Sequence, residues 1–147
     1  MKSWVKKLLI ISFAFVISGA AAIWYIFNEK FTDTQKRTEA FKVDAKSFLN
    51  EFVKNDTVAN KKYTEKIVTI NGIVSEIETM DTVVNIKMID TITNAYVIFA
   101  LQEDEIKKAK QLKEGDSVSI KGSCSGGVYS EILEAESIYF KRCVFNK

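Results

Sequence analysis

The 147-residue chain has no histidine, no proline and only two cysteines. Without histidine it lacks the commonest general base near neutral pH and the commonest nitrogen ligand for metals. Two thiols fall short of the four ligands of a structural zinc site, so no metal and no cofactor is expected. Glycine is also sparse. Gly122, Gly126 and Gly127 stand among serines, but their spacing matches neither common phosphate fingerprint, and a tight loop between strands explains them better. The acids Glu131, Glu134 and Glu136 do not follow the EF-hand pattern, which leaves a solvated strand face. Glu76 and Glu78 are same-face positions of an alternating strand rather than a catalytic pair. No nucleophile and base can be paired, so no catalytic residue is assigned and a non-enzyme is expected.

No acidic residue precedes Glu29, whereas Lys2, Lys6 and Lys7 do. Between them and that first acid, Leu8 to Phe27 forms an uncharged run of 20 residues. At about 1.5 Å per residue such a helix spans roughly 30 Å, the thickness of a bilayer's hydrocarbon. Trp4 lies near one end, and Trp24 and Tyr25 near the other, where interfacial aromatics belong. The lysine bias puts the N-terminus in the cytoplasm and the remainder outside it, in the periplasm if the cell has an outer membrane. A cleaved signal peptide is the competing reading, with Ser18 to Ala22 as a small-residue cleavage site. The apolar run resumes as Ile23-Trp24-Tyr25-Ile26-Phe27, which favours a retained single-pass anchor. No cysteine lies near the segment to carry a lipid.

The expected organisation is therefore an anchor over residues 1–27, a stalk over 28–40, and a domain over 41–147. Within that domain residues 41–63 are helical and 64–147 form a barrel. Asp44 is placed to cap a helix reaching about Lys54, with Ala45, Phe48, Leu49 and Phe52 as its buried stripe. Asn55-Asp56 interrupts, and Thr57 to Tyr63 makes a second short helical piece. From Lys66 the period changes to two. Strands are expected over Lys66–Ile77, Thr82–Met88, Asn94–Ala100 and Ser117–Gly122, and a fifth within Tyr129–Phe140. Gly72 marks a bulge or bend in the first of them. Between the third and fourth, residues 104–113 read as a helix, with Asp104 and Glu105 in its first turn and Gly115 ending it. Three strands, a helix, then two strands is the order of a mainly β, five-stranded OB-type Greek-key barrel.

Several runs then resemble one family, the exported tRNA-anticodon-domain-like (OB-fold) proteins common in Bacteroidetes. They are Asn60-Lys61-Lys62-Tyr63, Ile70-Asn71-Gly72-Ile73-Val74, and Leu112-Lys113-Glu114-Gly115-Asp116 leading through Val118 to Gly122 and Cys124-Ser125-Gly126. The resemblance implies an OB barrel behind an anchor or export signal, and it implies no activity. The family often has a cysteine near positions 136–137, where this chain has Glu136 and Ser137.

Cys124 and Cys143 are either a disulfide, which adds about 3 kcal/mol by loop closure, or two free thiols. An OB barrel offers its second and third strands and its loops for recognition, so Tyr96, Tyr129, Ser125 and Gly126 are the candidate ligand contacts. One reading is an envelope module that binds a protein, peptide or glycan. The other is binding of single-stranded nucleic acid, which needs a basic groove with stacking aromatics. From Thr64 onward the chain carries ten basic and thirteen acidic side chains, so nucleic acid is the less suited partner.

Overall fold

A computed structural model describes residues 3–28 and 33–146 as two compact units, which divide between Asp33 and Thr34. The first is helix α1 (Ser3–Asn28). An 18-residue window within Ser3–Phe27 has a mean hydropathy of 2.2, and the helix is long and apolar enough to cross a bilayer. A signal sequence has the same properties.

In the second unit, residues 34–40 lie on the domain instead of forming a free stalk. Thr34 is buried and accepts a hydrogen bond from Gln102 Nε2, Thr69 donates its hydroxyl to Glu39, and Ala40 N donates to Ile67 O. Residues 29–32, which the expected stalk includes, lie outside the described residues. Strand β1 (Phe41–Asp44) follows, where helix was expected, and pairs in parallel with β2 (Ile67–Ile73). Phe41 supplies the reason, since its ring packs edge-on against Tyr63 at 5.1 Å.

Between them run helices α2 (Ala45–Lys54) and α3 (Asp56–Tyr63). Asp44 caps α2 by accepting from Ser47 N, and Asn55 caps α3 by accepting from Val58 N. Ala45, Phe48, Leu49 and Phe52 are buried, as their helical spacing demands. The Phe48 ring lies 4.9 Å from that of Tyr63 and 5.7 Å from that of Phe140, which joins the helices to the sheet.

The remaining strands are β3 (Glu76–Thr79), β4 (Val84–Ile89), β5 (Tyr96–Leu101), β6 (Ser117–Ser130) and β7 (Ala135–Phe145). They complete one seven-stranded sheet in the order β1-β2-β6-β7-β5-β4-β3, with β5 and β7 parallel. Among the described residues no ladder joins the terminal strands β1 and β3, so the expected closed five-stranded barrel is seen as an open hydrogen-bonded order. The physical reason is the split of the long first strand into β2 and β3 at Val74-Ser75. Val74 N donates to Asp116 O on the β6 side and Ser75 N to Lys87 O on the β4 side, both at 2.9 Å. Two consecutive residues thus serve opposite ends of the sheet.

That break also relocates the bend expected at Gly72. Pairing runs regularly through Gly72, which stands opposite Val118. The glycine is needed for close approach, since a Cβ there would lie 2.7 Å from both Ala45 Cβ and Met88 Sδ. The helix between β5 and β6 is shorter than expected, a 3-10 turn (Glu103–Glu105) and a single α-turn, α4 (Ile106–Ala109). Strand β6 is longer, because residues 123–129 continue it and the chain reverses only at 131–134. Tyr129 therefore belongs to β6 and not to the last strand.

Candidate ligand-binding face

Alternation along β4, β5 and β7 buries Ile86, Val97, Phe99, Ile138 and Phe140 and turns their neighbours outward. Register then sets the outward residues in rows. Lys87 stands beside Ile98, which stands beside Tyr139 and Gly126. The next row is Ile89, Tyr96, Ser137 and Val128. Tyr139 is 47% exposed and Val128 67%, so this face offers aromatic and aliphatic surface to solvent.

Its cations are already engaged. Lys87 Nζ lies 4.6 Å from the Tyr96 ring centroid and 3.4 Å from Glu76 Oε2. Lys141, beyond Tyr139 on β7, reaches Glu65 at 3.4 Å. A phosphate backbone would find no free lysine along these two rows.

Of the residues singled out in the sequence, Tyr96 sits on this face. Ser125 is exposed at a bulge, where the register steps from Cys124–Phe140 to Gly126–Tyr139. Gly126 and Gly127 lie within β6 and receive the helices. Asn60 donates from Nδ2 to Gly127 O at 2.9 Å and accepts Gly127 N at 2.8 Å, and a Cβ at Gly127 would strike the Phe52 ring at 2.7 Å. The positive φ of Gly126 (101°) shapes the strand for that contact. Tyr129 stands opposite Glu136, one residue beyond the Tyr96 row. Tyr139, Ile98 and Lys87 were missed, although the pattern Ser137-Ile138-Tyr139-Phe140-Lys141 alternates in the sequence.

The tRNA_anti-like family profile matches residues 1–138. The chain belongs to the tRNA_anti-like family. No curated protein matches its sequence. Among solved structures it is similar to a "putative nucleic acid-binding lipoprotein" from Klebsiella pneumoniae, with a TM-score of 0.55 and 17% identity over 74% of this chain and 92% of that one. That likeness shows an OB-like fold. Weaker similarity extends to an aspartyl-tRNA synthetase from Entamoeba histolytica (TM-score 0.43, 15% identity, 74% of this chain and 25% of that one).

In this tRNA_anti-like domain Cys124 and Cys143 are both buried free thiols. Cys124 pairs with Phe140, three residues from Cys143, and a Cβ added at Gly122 would lie 2.6 Å from the Cys143 sulfur. The register therefore does not set the two cysteines directly opposite each other, though their thiols interact. Burial pushes the Cys124 thiol up to about 11, and burial also raises Cys143, so neither is a reactive thiolate.

Glu136 is 6% exposed, and its Oε2 has no hydrogen-bond partner. Burial first, and then the Asp56 carboxylate, raise its pKa. The folded domain thus holds a proton that the unfolded chain releases near the ordinary glutamate value of about 4.3. Stability contributed by this group is full below that value and is lost as pH rises through the higher folded one. Glu136→Gln should therefore stabilise the domain by about 1 kcal/mol at pH 7, by ending the burial of an unpartnered charge, and make little difference below about pH 4. Urea melts of wild type and variant across pH check this. An equal loss of stability at both pH values would contradict it.

Proposed function

We propose that this tRNA_anti-like protein is a non-catalytic binding module, held at the membrane by α1 with its OB-like domain exported to the cell envelope. The unbroken apolar run of α1 and the lysines that precede it support that placement. The ligand is a polypeptide or glycan, taken on the outer face of β4, β5 and β7. One observation carries the choice: Tyr96, Ile98 and Tyr139 line that face while Lys87 and Lys141 are paired with glutamates. Amphipathic aromatic surface without free positive charge suits side chains and sugar rings better than phosphates.

The second reading, single-stranded nucleic acid, draws on the stacking capacity of Tyr96 and Tyr139 and on the description of the Klebsiella relative. A titration separates the two. The full-length protein in nanodiscs should bind a labelled single-stranded 20-mer of about 20 nucleotides no tighter than roughly 10⁻⁴ M near physiological salt. Micromolar binding that weakens steeply with salt would favour the nucleic-acid reading.

A further inference from the structure

Two turns emerge side by side at one end of the domain, because Ile89, Tyr96, Ser137 and Val128 share a row across four strands. Ile92 stands in the β4–β5 turn, 78% exposed, and Ile132 and Leu133 in the β6–β7 turn, 94% and 61% exposed. Tyr129, 51% exposed near the end of β6, adjoins the second turn. On its other side a groove of about 470 Å³ opens beneath Ile89 and Ile92, floored by Ala45, Leu49, Gly72 and Met88. Large aliphatic side chains exposed at turn tips contribute little to the core, and clustered exposed apolar side chains are a feature of interaction sites.

The two strand-turn segments at this end carry acidic side chains only, and Lys46 of α2 lines the groove beside them. Residues 89–96 and 128–137 contain the half-buried Asp90, the exposed Glu131 and Glu134 and the buried Glu136, and no lysine or arginine. Lys46 of α2 approaches Asp90. The lysines of the connection between β5 and β6, Lys107, Lys108, Lys110 and Lys113, follow the opposite end of β5. The chain also enters the domain at that opposite end, where Thr34 meets Gln102.

We infer that the end built from the two turns is a docking surface for a polypeptide whose contact segment carries apolar side chains flanked by lysine or arginine. Apolar area alone would suit a membrane equally well. Asp90, Glu131 and Glu134 against Lys46 leave this end net negative, which repels anionic headgroups and phosphates and complements a basic amphipathic segment. The turn tips Ile92, Ile132 and Leu133 lie beyond the row of Tyr96, so variants there leave the sheet face around Tyr139 in place.

The test uses the full-length protein in phosphatidylcholine nanodiscs and two labelled peptides, read by fluorescence anisotropy. Both peptides share a core of isoleucine, leucine and phenylalanine, flanked in one by lysines and in the other by glutamates. The lysine peptide should bind at least about tenfold more tightly, and added salt should narrow the gap. Ile132→Asp combined with Leu133→Asp should weaken it by about tenfold or more, as should Ile92→Asp, while Lys107→Ala, past the opposite end of β5, should change it less than about twofold. These are surface positions, and unchanged thermal melting confirms that the variants fold. Equal binding of both peptides, or no saturable binding, would overturn the proposal. So would loss, in the aspartate variants, of binding to phosphatidylglycerol vesicles when no peptide binds, which identifies a lipid contact, or of self-association through this end.

Discussion

Phe99→Ala should destabilise a soluble 34–147 fragment by about 3–5 kcal/mol, a large part of the stability of a domain this size. Phe99 is fully buried on β5, opposite Ile86 on β4 and beside Phe140 on β7. Its ring lies 5.1 Å from that of Phe140, which in turn meets Phe48 of α2. Truncation therefore removes the link between the two halves of the core and leaves a cavity that rigid neighbouring strands cannot close. Urea denaturation of the fragment and its variant gives the difference directly. A loss below about 1 kcal/mol would mean that this part of the core is loosely packed.

Gly72→Val should be comparably damaging, for the opposite reason. A single Cβ at this position already falls 2.7 Å from Ala45 Cβ and from Met88 Sδ. Met88 is flexible and can retreat, but Ala45 is the first residue of α2 and moves only with the helix. Valine adds two further methyl groups, so a cost of about 2–3 kcal/mol or more is expected from overpacking. Gly72→Ala tests the mechanism. It should cost less than valine but still more than about 1 kcal/mol, because one methyl suffices for the clash. If alanine were neutral, α2 would not be seated on β2 as closely as the structure has it.

These two residues show what the sequence could and could not disclose. Phe99 was legible as an inward position together with Val97, although Tyr96 to Leu101 is apolar throughout and the alternation shows only in the burial. The stripe of α2 and its Asp44 cap were legible by the same kind of local rule. Gly72 stood out as a glycine within a strand, but its neighbours are brought there by α2 and β4, and that contact has no local signature. The same holds for Gly126 and Gly127, whose partner Asn60 lies 67 residues from Gly127 along the chain. Strand β1 was hidden because Phe41-Lys42-Val43-Asp44 is too short to display a period, and it exists through pairing with Val68 to Asn71. Tyr139 was overlooked because the phase of β7 depends on register with β5, which tertiary pairing alone determines.

The claim that the domain takes its ligand on the outer face of β4, β5 and β7 is tested most directly by photocrosslinking from Tyr139 in intact cells. A benzophenone amino acid at this position should give adducts that protease or glycosidase removes and nuclease leaves unchanged. The same probe at Lys107, beyond the far end of β5, should give markedly fewer. Nuclease-sensitive adducts at Tyr139, or equal yields at both positions, would contradict the account.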